Sequence, residues 1–273
     1  MSFQRKGRHS LDYQPVEYPG TALRFRGPAS DISAPHVLCL GGTETFGRFI
    51  AEPYPALLAA RLGVPVTNMG VAGSGLDVVV EDGAIQAAAA TATAIVLQIS
   101  GAQSLSNRLY TVHPRRNDRF VKASEILQTI YRDVDFTEFH FVRHMLDHLK
   151  AVSLERFDVV RTELQTVWQI RMRRFLDSAA VPVHLLWLAR CGPVAEEPEY
   201  GLGEEPLFVT PDMLETAAGA AASLTIVTGE GDPPDMAVRD MIFAEGEAPA
   251  AHALPGPLSH QAACDGLMGH LAV

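Results

Sequence analysis

One hydroxyl in this sequence stands where an α/β protein does chemistry. The run His36-Val-Leu-Cys-Leu40 is short and apolar, the pattern of a strand buried on both faces. It breaks into Gly41, Gly42 and Thr43, and a helical pattern begins at Phe46. A parallel strand whose carboxyl end opens through glycines into a helix is a usual place for ligands and reacting groups. Thr43 therefore reads as a nucleophile or, equally in keeping with its type, as the cap of the helix that follows. Other groupings invite chemistry too. Arg108, His113, Arg115, Arg116 and Arg119 crowd one polar stretch. Arginines offer paired donors to an anionic group, or simply pair with Asp118, Glu125 and Asp133. His140, His144 and His148 have metal-ligand spacing on a helix, yet they lie opposite the apolar stripe Phe139, Val142, Met145, Leu146 and Leu149. A solvated face accounts for them, and no metal or other cofactor is expected. Cys191 and Cys264 read as structural thiols, and Cys39 as a small core residue.

Five apolar runs must position these groups, near residues 36–41, 64–68, 94–100, 182–189 and 223–227. Helix-length segments separate them. The residues Phe49, Ile50, Tyr54, Leu57, Leu58 and Leu62 recur at helical spacing, with Pro53 and Pro55 at a start or an interruption. An Ala-rich helix spans about 76–90. Helices are expected at 136–152, 154–178, 211–222 and 257–271, with Ser153 capping the second and Pro211 in the first turn of the third. This alternation predicts a three-layer α/β/α sandwich with a five-stranded parallel sheet in the flavodoxin-like order 2-1-3-4-5. Residues 1–33 read as an N-terminal arm and 34–273 as one domain, with a helical insertion at about 105–180 after the third strand. All strand ends then share one edge, which collects Thr43, Gly70 to Gly75, Gly101 to Ser104, Cys191 and the loop before His260.

Read as letters, Gly41-Gly42-Thr43-Glu44-Thr45-Phe46-Gly47 resembles the G-D-S-x-T-x-G block of the SGNH/GDSL hydrolases, with Gly42 for Asp and Thr43 for Ser. Asn68-Met-Gly70-Val-Ala-Gly73 resembles their N-x-G-x-x-G block, Gly101-Ala-Gln103-Ser104 corresponds to G-x-N-D, and Pro257-Leu-Ser-His260 to D-x-x-H. The resemblance implies an SGNH-like fold and an ester or acyl hydrolase or acyltransferase. Thr43 would be the catalytic hydroxyl and His260 the base. The Gly73 amide and the Gln103 side chain would form the oxyanion hole, with Asn68 and the arginine stretch toward the substrate. Pro257 stands where the orienting Asp belongs, and Asp265 and Asp232 are the substitutes in view. The chain as a whole resembles an uncharacterised bacterial family of unknown function. That likeness is carried by Phe25-Arg-Gly-Pro28, Gly41-Gly-Thr-Glu-Thr45, Gly101-Ala-Gln103, the stretch from Tyr110 to Arg119 and Asp135-Phe-Thr-Glu-Phe-His140. The alternative is a catalytically inactive SGNH-like domain that binds an anionic or saccharide ligand.

Composition narrows the partners. A net charge of −10 leaves no broad basic surface for nucleic acid, so a small-molecule or glycan substrate is expected. With 273 residues, 47% of them apolar, the chain can bury one large core. Three cysteines do not suggest a disulfide framework, no apolar run is long enough to span a bilayer, and the start of the chain lacks a signal-peptide pattern. The expected compartment is the cytoplasm. The 136–178 helices carry more apolar surface than one sheet face usually takes, which points to the arm or a homo-oligomer contact as their cover.

Overall fold

The computed structural model of the chain describes residues 11–195, 198–229 and 237–271. Strands β1 (His36–Gly41), β2 (Val66–Gly70), β3 (Ala92–Gln98), β6 (Val183–Ala189) and β7 (Ser223–Thr228) form one parallel sheet. Its order is β2-β1-β3-β6-β7, the 2-1-3-4-5 arrangement expected from the sequence. Every residue of β1 and β6 is buried, as continuous apolar runs in a doubly covered sheet require. Period-two alternation divides the core. Leu38, Leu40, Ile95, Leu97 and Leu185 face one layer. Val37, Cys39, Val96, Leu186 and Leu188 face the other, where Tyr54, Leu58, Ala263, Cys264 and Leu267 cover them. The chain is a three-layer α/β/α sandwich.

The helices follow local chemistry, with some departures from the sequence reading. The pattern from Phe46 onward is split into α1 (Thr43–Phe46) and α2 (Tyr54–Leu62), because Gly47 takes the left-handed conformation and Pro53 precedes the second start. The Ala-rich stretch is also two helices, α3 (Leu76–Glu81) and α4 (Gly83–Thr91). Asp82 is extended between them and accepts from the Ala84 and Ile85 amides. The polar stretch after β3 is a hairpin, with β4 (Tyr110–His113) antiparallel to β5 (Arg116–Ala123). A short α5 (Glu125–Ile130) follows. The helix expected at 136–152 begins only at Val142 as α6 (Val142–Val152), after a single 3-10 turn at Phe136–Glu138. Ser153 ends α6 and caps α7 (Leu154–Ser178) through the Arg156 amide. The stripe Phe157, Val160, Leu164, Trp168 and Met172 is buried within this one chain. The remaining α-helices among the described residues include α8 (Pro211–Ala218), α9 (Ala248–His252) and α10 (Pro257–Leu271). Among the described residues no helix is long and apolar enough to cross a membrane.

The segment before β1 is tied down by a buried guanidinium. Val16 pairs with Phe25 in an antiparallel bridge, and the next residue, Arg26, is 9% exposed. Its Nη1 donates to the carbonyls of Gly47 (2.7 Å) and Ile50 (2.8 Å), and its Nη2 to Ala51 (2.7 Å). The Tyr13 ring lies 5.4 Å from its charge, and the Tyr13 hydroxyl accepts from the Phe49 amide. Arg26 thereby satisfies the carbonyls that the α1 break leaves without helical donors. Arg26→Ala should cost about 3–5 kcal/mol of unfolding free energy, since buried carbonyls lose charged donors. Urea denaturation followed by circular dichroism measures this.

Candidate active site

The carboxyl ends of β1, β2 and β3 meet at a small polar centre built on close backbone approach. Gly70 ends β2, and a Cβ there would lie 2.3 Å from the Phe46 nitrogen, so only glycine lets α1 rest on that strand. Thr43, the first residue of α1, is thereby brought to the loop after β2. Its Oγ accepts the Gly73 N–H at 3.1 Å. The structure thus joins two of the residues singled out in the sequence, the hydroxyl and the proposed oxyanion amide. Asn68 serves the scaffold: its Nδ2 donates to the Thr45 carbonyl (2.9 Å) and its Oδ1 accepts the Gly70 amide (2.9 Å).

Next to Thr43 is a carboxyl group that the motif reading passed over. Glu44 is partly buried, and its Oε2 accepts from Gln98 Nε2 at 2.8 Å. Gln98 itself is 4% exposed, and its orientation is unambiguous. Its Oε1 accepts from the Gly42 amide (2.9 Å) and the Thr45 hydroxyl (3.0 Å), so its amide nitrogen must face Glu44. Burial, and to a smaller degree the neighbouring Glu205, push the Glu44 carboxyl above its ordinary value, against the pull of its own amide and Gln98. Glu205 is held in turn by Gln103 Nε2 (3.0 and 2.8 Å), Arg143 Nη1 (3.2 Å) and the Leu207 amide (3.2 Å). The donating nitrogen of Gln103 is therefore committed to a carboxylate, and its buried Oε1 has no partner among the described residues. A signal for Glu44 was present in the sequence: a carboxylate one residue after the hydroxyl. A spacing-based motif treats that position as variable.

The arginine stretch divides. The β4–β5 hairpin is stitched to the second glycine block: Asn117 Oδ1 accepts the Gly75 amide (2.7 Å), and the Asp118 amide donates to the Gly73 carbonyl (3.1 Å). This lays Arg116 and Asp118 against Gly73, paired with each other at 2.8 and 3.1 Å. Arg116 is thus at the site. Arg108 is not, because its Nε and Nη2 grip the buried Glu163 of α7. Arg119 lies over the Phe141 ring at 5.4 Å, Arg115 is exposed, and His113 Nδ1 accepts the Arg115 amide. His140, His144 and His148 are exposed, and the described residues contain no group of three or more candidate metal ligands. The free thiols of Cys39 and Cys264 are pushed up by burial, which suits core packing and not nucleophilic attack.

His260 is the residue that the structure keeps apart. It sits in the first turn of α10, 1% exposed, its ring stacked on Tyr54 with centroids 6.1 Å apart. Among the described residues no hydrogen bond joins it to Thr43. The Tyr54 amide donates to its Nδ1 at 3.2 Å, so in the neutral ring the proton resides on Nε2. A triad histidine has the reverse tautomer: it donates from Nδ1 and accepts the hydroxyl proton at Nε2. Burial, with Arg26 nearby, lowers the His260 pKa to about 3. Of the two carboxylates in view for orienting it, Asp265 is paired with Arg61 and accepts from Gln261 (3.1 Å), and Asp232 lies outside the described residues.

The fold and this edge define the chain as an α/β sandwich with a polar centre at the β1 and β3 ends. The sequence matches over residues 1–272 the family described as a domain of unknown function (DUF6473), and the chain belongs to that family. No curated protein matches it. Among solved structures it is similar to a lipase from a goat rumen metagenome, at 10% identity and a TM-score of 0.42, covering 88% of this chain and 98% of that one. It is also similar to a mutant of an acetyl-xylooligosaccharide esterase from Geobacillus (12% identity, TM-score 0.43, 87% and 94% covered). An α/β hydrolase from the metagenome of Lake Arreo, Spain, is a third (14% identity, TM-score 0.41, 88% and 96% covered).

The state of His260 sets a pH dependence. Its folded pKa, about 3, lies below the unfolded value near 6.5, so between these values the unfolded chain binds a proton that the native chain does not. Its contribution is fully present above the unfolded value and is lost as pH falls toward about 3. The full span is on the order of 5 kcal/mol. In His260→Gln the slope of unfolding free energy against pH should be shallower than in the parent across that window, measured by chemical denaturation at a series of pH values.

Proposed function

We propose that the chain is a divergent SGNH-like hydrolase or acyltransferase acting on an ester or acyl group of a small molecule or glycan. Thr43 holds the hydroxyl position. The observation that carries this reading is the 3.1 Å contact from the Gly73 amide to Thr43 Oγ at the carboxyl edge of the sheet. Acyl transfer needs a hydroxyl and a fixed backbone donor within reach of one developing oxyanion, and these two groups supply that half of the chemistry. A β-branched hydroxyl is more constrained than serine, which favours a slower or more selective reaction.

A second reading, an inactive domain of the same kind, draws support from the tautomer and burial of His260. In that case the ligand is a hydroxyl-rich saccharide and not an anion. The nearby arginine charge is already matched, Arg116 by Asp118 and Arg143 by Glu205.

The two readings separate in an assay of 4-nitrophenyl esters of graded chain length. Under the enzyme reading, Thr43→Ala lowers kcat by about 100-fold or more, the usual cost of losing an oxyanion donor or a nucleophile, while Thr43→Ser retains or exceeds the parent rate. Turnover unchanged in Thr43→Ala removes Thr43 from the reaction, and turnover absent throughout the series favours the inactive domain. Calorimetric titration with oligosaccharides then becomes its test.

A further inference from the structure

We infer that Glu44, held by Gln98 beside Thr43, is the group that takes and returns protons at this site during acyl transfer. This deepens the hydrolase or acyltransferase reading and rests on it.

The other titratable groups near the edge are committed elsewhere. His260 is shut behind Tyr54 with its proton on the wrong nitrogen for a base. Asp118 is bound to both arms of the Arg116 fork. Glu205 accepts from Gln103, Arg143 and the Leu207 amide. Glu44 differs from these. One of its oxygens is fixed by Gln98, and among the described residues no side chain donates to the other. The residue keeps part of its surface exposed, while burial of the carboxyl itself raises it toward the protonated form.

Gln98 is committed on both ends of its amide. Rotating it would point its NH2 at the Gly42 amide and its oxygen at Glu44, a clash on both sides. Glu44 is thereby aimed by a buried group that cannot turn, as a proton-transfer residue requires. The substitution at position 42 supports the same assignment. A Cβ on Gly42 would come 3.1 Å from the Ser74 carbonyl and 3.4 Å from Glu44 Oε2. With no side chain at 42, the Glu44 carboxylate lies close against that position.

The step balances with no added reagent. Water or an acceptor alcohol attacks the acyl carbon as its proton passes to the Glu44 carboxylate, and the carbonyl electron pair moves onto oxygen. The Gly73 N–H and the Thr43 O–H are the donors for that oxygen. The pair then returns, the ester C–O bond breaks, and the Glu44 carboxyl gives its proton to the departing alkoxide.

The ionisable groups around Glu44 are Glu205, from the loop before α8, and Tyr54, from α2. Burial and Glu205 raise the carboxyl, so kcat/KM should fall on acidification through a midpoint above the ordinary glutamate range near 4.3.

The experiment uses the full chain with 4-nitrophenyl acetate. Glu44→Gln is nearly isosteric and still accepts from Gln98. It should lower kcat by about 10²- to 10⁴-fold without a change in melting temperature, and His260→Gln should keep the rate where it folds. The wild-type pH profile is an independent readout, and an acid limb at the ordinary glutamate value or none at all overturns the assignment. Turnover that survives Glu44→Gln, or that vanishes in folded His260→Gln, also overturns it while leaving the ester reading in place. A wild-type protein inert to every ester overturns both.

Discussion

The polar edge of this protein depends on the orientation of one buried amide. Gln98 ends β3 among apolar neighbours, where an unpaired amide would cost about 1–3 kcal/mol per group, so each of its polar atoms needs a partner. It finds them in the turn that leaves β1. The Gly42 amide and the Thr45 hydroxyl occupy its oxygen, and Glu44 takes its nitrogen. The four-residue helix α1 is too short to be stable by itself. It persists because Gln98 grips it from one side, Gly70 lets it pack on β2 from another, and Arg26 caps the carbonyls at its far end. Thr43 is placed as a consequence of these three contacts.

The same clamp explains why the histidine lies elsewhere. Arg26 requires the segment from Gly47 to Ala51 to fold inward so that its carbonyls converge, and this segment runs directly into Tyr54. Tyr54 stacks on His260 and spends its backbone N–H on the ring. A guanidinium near a buried imidazole also opposes a second positive charge, which keeps the ring neutral. His260 acts here as a shaped, uncharged core residue joining α2 to α10. Its match to a motif position reflects where α10 starts and not what its ring reaches.

The sheet was legible because its signal is redundant. Five apolar runs, spaced by helix-length segments, allow few arrangements once crossovers are right-handed, and β2-β1-β3-β6-β7 is the order found. Less was legible where backbone geometry outweighed side-chain pattern. Asp82 splits the Ala-rich helix with a cap that periodicity does not register. The hairpin from Tyr110 to Ala123 is rich in polar residues; its buried apolar face is only Tyr110, Val112, Phe120 and Ala123, and Asn117 and a backbone bond to Gly73 tie it to the site. In the site, Thr43 and Gly73 were visible as a hydroxyl and a glycine in register with a known spacing. Glu44 was not, because its importance comes from Gln98, 54 residues away along the chain and adjacent only in the fold. The arginines were visible as charge and Asp118 as a partner for them, but the pairing of Arg108 with Glu163, 55 residues along the chain, was not.

Gly73 connects the scaffold to the chemistry. Its φ of +75° is strained for any residue with a Cβ, and that Cβ would also come 2.9 Å from both Arg116 Nε and Asp118 Oδ1. The turn therefore sets two things at once: it aims the Gly73 N–H at Thr43, and it leaves space for the hairpin to close over the same point. The Gly73 carbonyl accepts from Asp118 while its amide donates to Thr43, so a shift of the hairpin is a shift of the donor. Under the proposed reading, a substrate that moved Arg116 would act on the turn at Gly73 that holds the donor. Because the Arg116–Asp118 pair is close to neutral as a unit, that coupling acts through shape and hydrogen bonding and not through long-range attraction. Under the proposed reading, selectivity at this edge is thus tied to how a substrate fits beneath the hairpin.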